Sequence, residues 1–413
     1  IVRVSYDLIG DVQWEWGVVV LVIGTASSLL GVLYALMQHD LKRLLAYHSI
    51  ENIGIILMGL GMSMIFLGSG HKMLGTLGLV AALYHTINHA LFKGLLFLGA
   101  GSVLYRTHAR DLDHMGGLIH RMPVTAFLFL VGCVAISALP PLNGFVSEWL
   151  TFQTALQAPV LKNGLLRTML PIAAALLALT GALAAACFVK AFGIAFLGKA
   201  RTRRVARARE VPAGMLGGMG LLATMCLLLG VFPTTVIEAM APITQLLVHE
   251  ALPSAAAQGW LWLTPISPQV ASYSAPFVVA AIIVVFGLGY LFLKRGTAPA
   301  RRVYAWDCGF GQLTQRMQYT STAFSQPIRR VFAGVWKVEE HIDTLANAGP
   351  VPRVTSLHYS VHTHDWSWLW CYVPIGHLVL AAANRIGFIQ TGNIHTYLKF
   401  SFVTLLVFLW IVS

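Results

Sequence analysis

The stretch Leu74–Leu104, LGTLGLVAALYHTINHALFKGLLFLGAGSVL, decides the fold class. It outruns the roughly 20 apolar residues that a bilayer crossing needs, and Lys93 is its one formal charge. An ammonium at that depth costs at least a few kcal/mol on insertion scales, which marks the residue as functional. His85, His89 and Lys93 follow each other at i, i+4 and i+8. On a helix that spacing stacks three titratable groups on one face over roughly 12 Å of rise. Such a ladder suits a proton relay, because an imidazole and a buried ammonium can both exchange protons at cellular pH.

The rest of the chain has the composition of a membrane protein. Of 413 residues, 57% are hydrophobic and 11% charged, and the mean hydropathy is +0.72. Hydropathy predicts spans at 17–37, 44–67, 73–104, 123–157 (broken), 171–197, 213–232, 275–293 and 393–413. The chain is read as an all-α polytopic bundle. The chain opens on Ile1 rather than Met, so motifs upstream of it fall outside the reading.

The net charge of +12 is a matter of topology rather than nucleic-acid binding. If the spans alternate, one side carries Lys42, Arg43, Arg106, Arg110, Arg121, Lys199, Arg201, Arg203, Arg204, Arg207, Arg209, Lys294, Arg295, Arg301 and Arg302. The other carries Arg3, Lys72, Lys162 and Arg167. Fifteen against four is a strong positive-inside bias and places the first set in the cytoplasm. The loop 233–274 has Glu238 and Glu250 and no Lys or Arg, as an outward loop should.

Cys133, Cys187, Cys226, Cys308 and Cys371 form no CxxC or cluster-binding spacing, so no iron–sulfur centre is expected in this chain. His85 and His89 lack a third zinc ligand nearby in sequence. The chain reads as having no strands, and therefore no phosphate loop following one. No catalytic residue, cofactor or metal is assigned to it.

Further ionisable residues fall at membrane depth. Glu148 follows the double proline Pro140–Pro141, whose missing donors break the helix and leave carbonyls to be satisfied by protein or a wet cavity. A carboxyl just past such a break is placed to load or release an ion; the plainer reading pairs it with an interfacial Lys or Arg. Lys190 is a second isolated ammonium, near enough to the cytoplasmic end to act in a relay or to snorkel. His48 and Glu51 lie deeper than the turn charges Asp40, Lys42 and Arg43, as the mouth of a half-channel or as caps of their helix.

Three segments then carry a resemblance: YALMQHDLKRLLAYHSIENIGIILMGLG (34–61), HTINHALFKGLLFLGAGSV (85–103) and LPPLNGFVSEWL (139–150). They resemble the proton-antiporter module shared by large membrane subunits of respiratory complex I, Mrp-type cation/proton antiporters and membrane-bound [NiFe]-hydrogenases. WDCGF (306–310), RMQYTSTAFSQPIRRVF (316–332) and ANRIGFIQTGNIHTYLKF (383–400) are similar to the hydrogenase-4 component B and formate hydrogenlyase subunit 3 branch. The resemblance implies two inverted five-helix repeats, of which this sequence corresponds to the second repeat and the tail. Lys93 matches the central-axis lysine, His85 and His89 the histidines leading to it, and Glu148 the terminal group on the broken helix. The Glu–Lys pair of the first repeat has no counterpart here.

The implied organisation is an antiporter-like bundle over 1–300 and a polar cytoplasmic insertion over 301–368. A lateral helix follows over 369–391, then a final transmembrane helix over 392–413. Hydropathy alone reads 369–391 as another crossing; the resemblance favours a helix along the membrane, bracing neighbours. Trp306–Phe310 and Gln318–Pro327 are candidate partner contacts. The expected function is proton translocation in the bacterial or archaeal inner membrane through Lys93, His85, His89, Glu148, Lys190, His48 and Glu51. This subunit would be non-catalytic, with iron–sulfur and nickel–iron centres in partner membrane and peripheral subunits. The rivals are a stand-alone Na⁺(K⁺)/H⁺ antiporter and a non-pumping anchor. For the first, Ser147, Asn143 and Glu148 are a thin supply of cation ligands.

Overall fold

A computed structural model gives the fold and describes residues 1–253, 262–264, 272–296, 303, 306–311, 313–346 and 354–412. Arg301 and Arg302, used in the charge reading, lie outside the described residues. The chain divides into two compact units, 1–327 and 328–413.

A π-helical turn, Arg3–Ile9, precedes the first unit's helices. These are α1 (Trp14–Met37), α2 (Leu41–Gly68), α3 (Lys72–Thr107), α4 (Pro123–Ile136), α5 (Asn143–Ala155) and α6 (Gly164–Phe196). The short α7 (Arg203–Ala206), α8 (Ala213–Val231), α9 (Pro233–Val248) and α10 (Ala275–Gly296) follow, and α11 (Ser321–Val331) crosses into the second unit. Among the described residues seven helices are long and apolar enough to cross a membrane: α1, α2, α3, α6, α8, α10 and the last helix. The double proline splits the expected 123–157 span into α4 and α5, with residues 137–142 between them.

Local chemistry sets the boundaries. The Asp40 carboxylate caps α2, accepting from Lys42 N at 2.8 Å and Arg43 N at 3.0 Å. Pro123 starts α4, where Glu210 accepts from Val124 N at 3.0 Å and Thr125 N at 3.2 Å. Glycines let α1 and α2 approach backbone to backbone: a Cβ on Gly24 would lie 2.8 Å from Gly54 O, and one on Gly31 would lie 2.6 Å from Glu51 N. The connections 38–40, 108–122 and 197–212 gather at one end of the bundle. Leu41 N donates to Arg110 O, Gly117 N to Leu197 O, and Arg110 pairs with Asp40 at 2.8 Å. The basic residues counted there are thus neighbours in space.

Two features differ from the sequence reading. The 233–274 stretch is not all loop: Pro233 at the first helical turn opens α9, sixteen residues that bury Ile237 and Met240 and are too short to cross a bilayer. The second unit also holds strands, against the expectation of none. β1 (Lys337–Ala346) and β2 (Val354–His364) pair antiparallel. Their β-branched and polar residues alternate with period two, a pattern that the prevailing helical hydropathy hid. Gln318 is engaged within its own unit, bonded to the Lys199 backbone in both directions, whereas Trp306 and Phe310 are exposed.

The second unit continues with a π-helical turn, Trp368–Tyr372, then α12 (Val373–Ile386), a 3-10 turn, Gly387–Ile389, and α13 (Ile394–Val412). α12 is continuous with the turns on either side of it, so the helical run extends over 366–389.

Candidate functional site

The candidate residues lie on four helices of the first unit: His48 and Glu51 on α2, His85, His89 and Lys93 on α3, Glu148 on α5 and Lys190 on α6. All but His89 are buried, and His89 is partly so. The three-rung ladder is present along α3, but its rungs reach different neighbours. His85 is clasped between two helices, with Nδ1 2.9 Å from Ser147 Oγ on α5 and Nε2 3.2 Å from Asn52 Oδ1 on α2. Asn52 in turn donates from Nδ2 to His48 O at 2.7 Å. His48 and Glu51 are hydrogen-bonded to each other, both withdrawn from solvent. They therefore sit inside the bundle, and the cap of α2 is Asp40.

Lys93 turns toward α2, donating from Nζ to Leu45 O at 3.0 Å, and stands in the electrostatic field of Glu51. His89 sits between the other two rungs, interacting electrostatically with both, and meets Phe92 edge-on at 5.7 Å. Among the described residues three buried polar atoms along this axis, His48 Nε2, His89 Nε2 and Asn143 Oδ1, meet no nitrogen or oxygen partner, and the thiols of Cys187 and Cys226 lie beside His48 and Asn143. Imidazole nitrogens of that kind can accept or release a proton.

The broken helix is locked to α3 by amides. Asn88 Nδ2 donates to Asn143 O at 2.9 Å and to Ser147 Oγ at 3.0 Å, and Asn143 Nδ2 donates to Asn88 Oδ1 at 3.1 Å. These bonds satisfy backbone and side-chain groups freed near the proline break, which apolar surroundings would otherwise penalise. Ser147 Oγ also lies 3.2 Å from Gly144 O. With Nε2–H directed at Asn52 Oδ1, a neutral His85 accepts the Ser147 hydroxyl proton at Nδ1. An imidazolium would instead donate to that oxygen, and the hydroxyl would turn to Gly144 O. Ser147 can thus follow the charge state of His85 by rotation alone.

Glu148, 6% exposed, faces the α6 backbone: its Oε2 would lie 3.7 Å from a Cβ placed on Gly181. Among the described residues it is not in an ion pair with Lys or Arg; the charged neighbour it senses is Glu51. Lys190 does not snorkel. Its fully buried ammonium donates to Leu36 O at 2.7 Å and Gln38 O at 2.8 Å, the orphan carbonyls at the end of α1, and lies 3.3 Å from Ser325 Oγ. A cavity of about 510 Å³ lies beside it, lined among others by Arg201, Gln318, Tyr319 and Phe324. Cys187, one turn earlier on α6, is within electrostatic range of His48, Lys93 and Lys190. The sequence reading passed over Asn52 and Cys187. Their signals were an amide four residues after His48 and a thiol three before Lys190, both weak in isolation.

Residues 1–166 match the family described as NADH:quinone oxidoreductase/Mrp antiporter, transmembrane. The chain is 37% identical to hydrogenase-4 component B of Escherichia coli (strain K12), over 99% of this chain and 61% of that protein. It is also 37% identical to formate hydrogenlyase subunit 3 of the same strain, over 82% of this chain and 53% of that protein. It thus spans somewhat more than half the length of these relatives. A chain from the membrane-bound sulfane sulfur reductase, an archaeal respiratory membrane complex, superposes with a TM-score of 0.65 at 22% identity, covering 98% of this chain and 58% of that one. That likeness concerns the fold.

Proposed function

We propose, from the match of residues 1–166 to the NADH:quinone oxidoreductase/Mrp antiporter membrane family and the likeness to hydrogenase-4 component B, that the chain is a proton-translocating subunit of a respiratory-type complex. The observation that carries the reading is the clasp on His85. Through Ser147 and Asn52 it joins the helix of Glu148 to the His48–Glu51 pair, which in turn lies in the field of Lys93. The relay runs Glu148, Ser147, His85, Asn52, His48, Glu51 and Lys93, with His89 as a side branch and water completing the gaps.

Charge displacement drives it. At an effective dielectric near 20, a unit charge about 10 Å away is worth roughly 1–2 kcal/mol. A change of charge on Glu148 acts on Glu51, and Glu51 acts on Lys93. Glu51 is therefore the intermediate between the two groups at the ends. Lys190, beside its cavity at the basic end, is the exchange point on that side.

The basic end faces the cytoplasm by the positive-inside rule, and the membrane is the inner membrane of a bacterium or archaeon. The redox chemistry belongs to partner subunits with iron–sulfur and nickel–iron centres, and this subunit converts their turnover into proton movement. The helical run over 366–389 lies along the bilayer and braces neighbouring membrane subunits. Exposed Trp306 and Phe310 contact a peripheral partner.

The test uses the full complex in inside-out vesicles, comparing Lys93→Ala with wild type for electron flow and dye-reported ΔpH. Electron flow without a proton gradient supports the relay. An unchanged gradient with an intact assembly removes Lys93 from the path and leaves a membrane anchor.

A further inference from the structure

The cavity of about 510 Å³ beside Lys190 joins two cations to an apolar lining. Lys190 and Arg201 supply the charge, Val189, Ile194, Leu197 and Phe324 supply apolar surface, and no aspartate or glutamate is among its described lining residues. A simple inorganic anion would meet the charge and leave the apolar surface without contact. An amphiphile with an anionic head satisfies both parts.

Depth narrows the ligand. Lys190 stands about 9 Å of rise before the end of α6, whereas Gly198 and Arg201 lie beyond that end, on the basic connection 197–212. The cavity therefore runs from within a membrane-spanning helix to the loops that carry the clustered positive charge. Phospholipid phosphates occupy that level of a bilayer, with their acyl chains alongside the helices. Arg203, Arg204 and Arg207, all exposed, continue the positive field outside the cavity.

The two cations play different parts. Lys190 Nζ is engaged by Leu36 O, Gln38 O and Ser325 Oγ, so every ammonium proton is taken and the residue acts through its charge. Arg201 Nη1 donates to Met115 O and Ile194 O, each at 3.3 Å, and Nη2 donates to Tyr319 O at 2.7 Å. Those bonds orient the guanidinium and leave Nε–H and a second Nη2–H, adjacent donors that match two oxygens of a phosphate. Among the described residues the carboxylate within electrostatic range of both cations is Asp113, one anion for two positive charges. A phosphate supplies the second.

We propose that this cavity binds one anionic phospholipid from the leaflet at the basic end, its phosphate on Arg201 in the field of Lys190 and an acyl chain along Val189, Ile194, Leu197 and Phe324. A zwitterionic lipid carries the same phosphate with an ammonium that the surrounding cations repel, so the site prefers phosphatidylglycerol to phosphatidylethanolamine. Binding is read without translocation, so the site stands or falls independently of the relay.

The experiment takes the full chain, purified in detergent and stripped of lipid by detergent exchange. It is titrated with phosphatidylglycerol, phosphatidylethanolamine or inorganic phosphate, and bound lipid is counted by native mass spectrometry. About one phosphatidylglycerol per chain is expected, held about 10-fold or more tighter than phosphatidylethanolamine, and inorganic phosphate should not displace it. Arg201→Gln removes the guanidinium and should abolish that preference. Gly193 lines the cavity, and a Cβ there meets nothing within 4 Å, so Gly193→Leu fills the space without touching a charge. It should weaken phosphatidylglycerol by a similar factor, whereas Gly217→Leu on α8, also open at Cβ, should bind as the wild type. Equal binding of the two lipids by the wild type, or wild-type affinity in either cavity variant, overturns the site. Displacement by inorganic phosphate overturns the lipid assignment in favour of a plain anion site. If Arg201→Gln does not fold by circular dichroism, Gly193→Leu decides alone.

Discussion

Glu51 on α2 and Lys93 on α3 stand in each other's electrostatic field inside the bundle, neither open to solvent. Each has its own direct partner, Lys93 the carbonyl of Leu45 and Glu51 the imidazole of His48, so Glu51→Gln removes the field on Lys93 and the charge-assisted part of the bond to His48, at a cost of about 1.5–3 kcal/mol. His48 remains hydrogen-bondable to a glutamine, so the local shape survives a Glu51→Gln change better than a truncation. Glu51→Gln should therefore lower the unfolding temperature of the purified subunit yet still assemble. In inside-out vesicles of the complex, electron flow should persist and ΔpH should collapse, as for Lys93→Ala. A wild-type gradient in that variant would remove Glu51 from the path.

A change that touches no titratable group should give the same defect. Gly31 on α1 lies against the Glu51 backbone, and a Cβ there would be 2.6 Å from Glu51 N and 2.9 Å from its Cα. Backbone cannot yield as a flexible side-chain tip can, so Gly31→Ala must push α2 away from α1 at the site itself. Overpacking of this kind costs about 1–3 kcal/mol. The expected outcome is reduced ΔpH in vesicles with all ionisable residues intact. Gly101→Ala, where a Cβ meets nothing within 4 Å, should pump normally.

The existence of the helices was legible because membrane spans are long and uniformly apolar, and Pro140–Pro141 announced the broken one. Charge asymmetry likewise identified the loops that gather at one end. The connectivity of the site was not legible. Periodicity gave His85, His89 and Lys93 as a single stripe, but which neighbour each rung meets depends on three other helices. The clasp of His85 by Ser147 and Asn52 joins residues 62 and 33 positions away, separations at which sequence spacing carries no information. For Lys190, depth along one helix allows relay and snorkel alike, whereas the carbonyls at the end of α1 supply its partners inside. The β1–β2 ribbon was missed because hydrophobic bulk dominated the expectation, and a short exposed hairpin contributes little to it.

The Ser147 hydroxyl should matter as a hydroxyl. It meets His85 Nδ1, accepts from Asn88 Nδ2 and lies near Gly144 O, so Ser147→Ala leaves two buried polar groups without that partner. The stability loss is about 1–3 kcal/mol. Proton translocation should slow by about 10²-fold or more if the hydroxyl transfers or orients the His85 proton, the low end for positioned acid–base groups. Ser147→Thr keeps the oxygen and should restore most of the rate. Equal loss in both variants would mean that packing, not the hydroxyl, is what the site needs.

Lys190 separates structure from transport. Its ammonium satisfies Leu36 O and Gln38 O, and Ser325 Oγ donates to the same Leu36 carbonyl at 2.6 Å. Lys190→Met keeps the volume of the stem but leaves Gln38 O without its ammonium donor and Leu36 O with the serine alone. Each lost bond to a charged donor is worth about 1.5–3 kcal/mol, so the variant should be less stable and more readily cleaved between Leu313 and Pro327 under limited proteolysis. Ser325→Ala removes one neutral bond, worth about 0.5–1.5 kcal/mol, and leaves the charge in place. If Lys190 is the exchange point at the basic end, ΔpH falls in Lys190→Met and not in Ser325→Ala, even where native gels show both complexes assembled. If both variants translocate normally once assembled, Lys190 is a clamp on the end of α1 and protons reach Lys93 and His48 by another route.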